Sequence, residues 1–212
     1  MLEKLMQESD DFHAAMETLR QSGPPIAEGE LRFVVSAVSA TLSIEHSAAA
    51  RLCFAGELAS SATAMVRLQY EATVRSAWLL HVATDEEIRL IDGPLDTESD
   101  SLARKIPGAT TMLKAVTGRA PDGLTVPLQQ FHDVTWHRLN SFVRAGIHPI
   151  RRQSEGCPVL LACQMLRNAN AILHVTYRML AALTGSAAAM SAVTNLWKTH
   201  GHCLPIDPDL AV

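Results

Sequence analysis

The chain has 212 residues, 18 Lys+Arg against 22 Asp+Glu for a net charge of −4, and 48% hydrophobic but only 5% aromatic residues. That length predicts one domain with a substantial core, the apolar share excludes a disordered chain, and the acid excess excludes a general nucleic-acid coat. Most of the apolar residues are Ala, Leu, Val and Met, a mix that favours helix packing over sheets.

Leu2, Leu5, Phe12, Met16 and Leu19 recur at helical spacing, and Gly23-Pro24-Pro25 ends the helix they define. A second helix is expected from near Glu28 to Gly56. A third, SATAMVRLQYEATVRSAWLLHVA, is expected to be capped by Ser60 or Ser61. These two should form an antiparallel core pair. From about 84 to 123 the chain turns rich in proline and glycine, which predicts short helices and turns lying across the bundle. A helix from about Val126 to Arg144 follows, broken by Gly146, Pro149 and the RRQSEGCP segment. The longest late helix is expected over 159–185 and an Ala-rich one over 187–199. No strand-like alternation and no repeat appear. The prediction is an all-α helical bundle, one domain over 1–203 with a C-terminal tail over 204–212.

Charge is divided unevenly along this order. Residues 1–100 hold 7 Lys+Arg against 17 Asp+Glu, a balance of −10, and residues 101–212 hold 11 against 5, a balance of +6, with six of the nine histidines. Asymmetry of that kind marks a region suited to anions. The four cysteines form no C-x-x-C pair, the start MLEKLMQESDD lacks the basic and apolar order of a signal peptide, and no uninterrupted apolar run approaches a membrane span. The expectation is a soluble cytoplasmic protein with free thiols and no membrane association.

In the 159–185 helix, Arg167, Asn170, His174 and Arg178 follow at intervals of 3, 4 and 4, which lines them on one stripe opposite Met165, Ile172, Met179 and Leu183. Arg167-Asn168, six residues between Arg and His, and Tyr177 three positions after His174 complete the pattern. This segment resembles the R-x(4–6)-H signature of the HEPN (higher eukaryotes and prokaryotes nucleotide-binding) superfamily. SIEHSAAARLCFAG, SATAMVRLQYEATVRSAWLLHVA and FHDVTWHRLNSFVRAGIHPIRR are similar to the core blocks of bacterial HEPN-like families. The resemblance implies a HEPN-like bundle and a metal-independent endoribonuclease of a bacterial defence, abortive-infection or toxin–antitoxin setting. It further implies a homodimer with an RNA substrate, an antitoxin or defence partner, and no cofactor. By that reading Arg167 holds the phosphate, His174 moves the proton, and Asn168 is the polar residue after the Arg. Asn170, Tyr177 and Arg178 would help bind substrate.

A second cationic cluster, Arg138, Arg144, His148, Arg151 and Arg152, concentrates positive charge in a corner that suits phosphate or RNA. Part of it would also answer the dipole of the preceding helix. Through such a basic face a non-catalytic module would bind RNA, a nucleotide or a partner protein. Arg67, Glu71 and Arg75 stand at i, i+4 intervals and predict an ion pair bracing the bundle, with Glu71 reaching Arg144 or an arginine of the late helix. His200-Gly-His202-Cys203 lacks a clear fourth ligand, so no metal site is expected. No P-loop, dinucleotide fingerprint, H-E-x-x-H or nucleophile elbow occurs.

Overall fold

The computed structural model describes residues 1–27 and 30–205, except for the side chains of residues 98 and 100. Glu28, where the second helix was expected to start, and residues 206–212 of the expected tail lie outside the described residues. Within them the chain is an all-α bundle. In chain order it has α1 (Leu2–Ser22), α2 (Leu31–Ala55), α3 (Ala59–His81), α4 (Asp85–Asp92), α5 (Thr97–Ala103), α6 (Ala109–Val116), α7 (Asp122–Val143), α8 (Ile147–Glu155), α9 (Val159–Leu183) and α10 (Ala187–Thr199). A single 3-10 turn, Gly201–Cys203, follows.

α2 and α3 make the most extensive contact and run antiparallel, as expected. Their seam is polar as well as apolar. Ser36 and Ser76 exchange hydroxyl-to-carbonyl bonds at 2.9 and 2.7 Å, Ser39 donates to the Ala72 carbonyl at 3.0 Å, and Ser43 meets Thr73 at 2.8 Å. Thr176 of α9 joins Ser43 and Thr73 at 3.1 and 2.9 Å, so hydroxyls of three helices close on one another. Small hydroxyl residues let the backbones approach, and each buried group is satisfied inside the seam. By length and composition α2 passes as a membrane-spanning helix. In the bundle it turns this serine row inward.

α9 is the axis of the molecule. Ala169, Ile172, Val175 and Met179 enter a core shared with α3, α6 and α7. Leu166, Leu173, Tyr177 and Leu180 enter a second core shared with α1, α2 and α10. It runs parallel to α1, pairing Ser9 with Asn170 and Glu17 with Tyr177, and parallel to α3, pairing Gln69 with Ala169 and Thr73 with Thr176. A helix buried on two sides has no wide solvent stripe, and this corrects the expectation of one polar face opposite one apolar face.

Three local expectations also change. Ser60 and Ser61 lie in the first turn of α3, whose N-cap is Leu58 with no side-chain cap. The segment expected to be a break after Gly146 is a helix, α8, because Pro149 falls in its first turn, where a missing N–H costs nothing. The corner before α8 is tightly built, with Ala145 at φ +48 and the Ser141 carbonyl accepting from Gly146 N at 2.8 Å. The Ser141 hydroxyl accepts from His148 N at 3.1 Å. Finally, the tail does not begin at 204: Cys203 and Leu204 are buried in the α1/α2/α9/α10 core, so the packed domain extends past 203.

Candidate functional site

The stripe read from the sequence divides into separate environments. His174 is 5% exposed, its Nε2 lies 3.1 Å from the Val193 carbonyl of α10, and its ring packs 4.9 Å from that of Trp197. Burial lowers its pKa to about 4, with the Val193 carbonyl pulling the other way. At neutral pH this imidazole is therefore uncharged, and α10 covers it.

Asn170 is fully buried. Its Nδ2 donates to Ser9 Oγ and to the Cys203 carbonyl, each at 2.8 Å, so it ties α1 and the C-terminal segment to α9. Tyr177 donates to Glu17 of α1 at 2.8 Å, and burial raises its pKa. Glu17 is also gripped by Arg20, and that contact foremost holds its carboxyl down at about 2.

Arg178 reaches α7, where its Nη1 donates to the Gly123 carbonyl at 2.8 Å. The reason is local. Pro127 sits inside α7 and has no N–H for the carbonyl four residues earlier, which belongs to Gly123. A Cβ at position 123 would stand 2.7 Å from Arg178 Nη2, so glycine leaves room for the guanidinium. Sequence reading took Arg178 for a substrate contact. The lone proline inside an otherwise helical segment was the available signal that an outside donor was needed.

Arg167 and Asn168 occupy a different place, on the lining of a cavity between the N-terminal half of α9, the start of α1 and the 3-10 turn. Arg167 Nη1 donates to the carbonyls of His202 and Leu204 at 3.0 and 3.3 Å. The histidine that shares this cavity with Arg167 is His202, while His174 is not on its lining. The structure thus brings Arg167 and Asn168 together on an accessible surface and separates both from His174.

The other cluster remains open. Arg138, Arg144, His148 and Arg151 are exposed, Arg152 is half-buried, and α8 has no buried residue. The Phe142 and His148 rings stack at 6.2 Å. Among the described residues every Lys or Arg ion pair involves Lys4, Arg20, Arg32, Arg51 or Arg67. Among the described residues no Lys or Arg of the second half has a carboxylate partner.

Arg67 and Glu71 do form the expected bracing pair, in a bidentate contact at 2.7 and 2.9 Å. Arg67 Nε donates to Asn140 of α7 at 2.8 Å, and its guanidinium lies 4.9 Å over Trp136. Glu71 therefore pairs within its own helix, not with Arg144 or with α9. Arg75 is exposed and stands outside the pair. No group of three or more His, Cys, Asp or Glu suited to a metal ion occurs among the described residues.

One protein family matches the chain: a family of unknown function, DUF6988, over residues 40–206. No curated protein and no solved structure matches.

Proposed function

The chain belongs to that family of unknown function, and we propose that it is a non-catalytic helical module that holds RNA through the basic corner formed by the end of α7 and α8. The carrying observation is charge without compensation. Between residues 134 and 205 the sequence has seven Lys and Arg and one acid, Glu155. Arg138, Arg144 and Arg151 are exposed and have no carboxylate partner among the described residues. Phosphates are the natural partners of such unpaired guanidinium groups. Both tyrosines are buried, which leaves little for base stacking and favours contact with the RNA backbone.

Fluorescence anisotropy with a single-stranded RNA over a KCl series, in EDTA, tests this. Binding is expected to weaken steeply with salt and to fall at least tenfold in Arg151→Glu/Arg152→Glu, while the RNA stays intact. Absence of binding at low salt, or salt-insensitive binding, overturns it. Capture of an acidic protein instead of RNA at this face would also replace it. The same assay judges the rival ribonuclease reading and the defence or toxin–antitoxin setting attached to it. RNA cleavage in EDTA that disappears in His174→Ala would favour that reading. It requires α10 to lift from His174, because the imidazole as packed has no path to a phosphodiester.

For self-association, we propose that the partner is a second copy of this chain, docked on the outer face of α2. Val34 and Val38 stand 55% and 61% exposed on α2. They flank a groove of about 970 Å³ floored by Leu180 and Ala181 and walled opposite by Ala188, Ala189 and Ala192. A two-fold contact sets one patch against itself, so the exposed valines of each copy can enter the groove of the other. Between Arg32 and Glu45, α2 carries no charge that such contact would bury. Light scattering should give a dimer for the wild type and a monomer for Val38→Glu; a monomeric wild type at micromolar concentration overturns the proposal.

A further inference from the structure

The cavity at Arg167 has a volume of about 540 Å³ and a polar lining of Lys4, Glu8, Gln164, Arg167, Asn168 and His202. Two carbonyls hold Nη1 of Arg167, which fixes the fork, while Nε and Nη2 have no partner among the described residues. The side-chain amides of Gln164 and Asn168 are likewise unused among the described residues. Lys4 reaches only Glu8, at 3.6 Å, and its side chain is largely exposed. Among the described residues Glu8 is the one acid on this lining, and it does not pair with Arg167. Leu160 and Pro205 supply an apolar edge.

We infer that this cavity binds a small phosphate monoester whose carbon skeleton carries hydroxyl groups, the chemistry of a sugar phosphate. The donors on this lining, a guanidinium fork, an ammonium and two amides, exceed what the two oxygens of a carboxylate can accept. They suit the three terminal oxygens of a phosphate. Glu8 supplies the acceptor for a ligand hydroxyl, and the apolar edge covers the carbon skeleton. The volume falls within the range of roughly 300–1,000 Å³ typical of small-ligand sites. The fixed guanidinium presents its free nitrogens without first losing side-chain freedom, which lowers the cost of binding. This site is distinct from the α7–α8 corner and does not rest on the RNA reading.

Isothermal titration calorimetry of the full chain with ribose 5-phosphate tests it. Saturable binding is expected, at least tenfold weaker for ribose, for inorganic phosphate, and in the variants Lys4→Glu and Asn168→Asp, with Arg151→Glu unchanged. Arg167→Ala also releases the C-terminal segment, so the exposed Lys4 and half-buried Asn168 carry the test, with circular dichroism confirming that the variants remain folded. No saturable binding at millimolar ribose 5-phosphate overturns the inference, as does binding unaltered in both variants. Equal affinity for inorganic phosphate overturns the sugar-phosphate assignment.

Discussion

At the scale of single residues, the histidine of the R-x6-H segment is informative because burial outweighs its other contacts in fixing its state. The His174 pKa is lowered in the folded chain from 6.5 to about 4. Between these values the unfolded chain binds the proton and the folded chain does not, so stability rises with pH across this window. Equivalently, stability is lost as pH falls from about 6.5 to about 4, by on the order of 3 kcal/mol from this group. Urea unfolding at a series of pH values should show this slope in the wild type and a flatter one in His174→Gln. Equal slopes would mean that His174 is more accessible than its packing under α10 implies. The sequence placed His174 on a helix correctly. Its neighbours Val193 and Trp197 come from another helix, and nothing in the 167–177 segment announces them.

At the scale of elements, α7 and α9 share a core and a hydrogen bond that repairs a helix. Pro127 leaves the Gly123 carbonyl without its helical donor, and Arg178 supplies a replacement from across the interface. Arg178→Ala should therefore cost about 0.5–1.5 kcal/mol, the net worth of one hydrogen bond to a solvent-accessible carbonyl. Adding Pro127→Ala should recover much of that loss, since the new N–H can bond to the Gly123 carbonyl. Gly123→Ala should be better tolerated in Arg178→Ala than in the wild type, where its Cβ would push the Arg178 guanidinium off the carbonyl it serves. Chemical denaturation of the singles and doubles checks both couplings. The hydroxyl seam of α2, α3 and α9 offers a second handle on helix pairing. Thr73 contacts both Ser43 and Thr176, which also bond each other, so Thr73→Val should cost about 0.5–1.5 kcal/mol by removing one hydrogen bond from each while neither loses its last partner.

At the scale of the whole molecule, α1 and residues 202–204 meet on α9. Arg167 and Asn170 bind the carbonyls of residues 202–204, and Asn170 binds Ser9 of α1. These are the side chains that sequence reading set aside for a substrate. Leu204 is 1% exposed, so Leu204→Ala should destabilise the fold by about 2–5 kcal/mol, measurable by urea unfolding. A change of less than about 0.5 kcal/mol would restore the view of this segment as a loose tail. The uneven charge has the same molecular character. Among the described residues the Lys and Arg ion pairs gather in the first half, and the arginines and lysines of the second half have no carboxylate partner.

The sequence by itself determined the all-α bundle, the antiparallel pairing of α2 with α3, and the short helices between 84 and 123. Helical periodicity and glycine and proline punctuation are local properties, so a single chain displays them. It marked Glu71 for a bracing ion pair but looked for the partner in Arg144 or α9, whereas the contact is to Arg67, four residues back on the same helix. Only the tertiary structure decided what the polar face of α9 does, because a periodic stripe records which residues share a face and not what packs against it. The neighbours that claim this stripe, Ser9, Gly123, Val193 and residues 202–204, lie from 19 to 161 positions away in the chain. Distance in sequence hid the split of the R-x6-H segment into a buried histidine and an arginine that lines a cavity, and packing alone produced it.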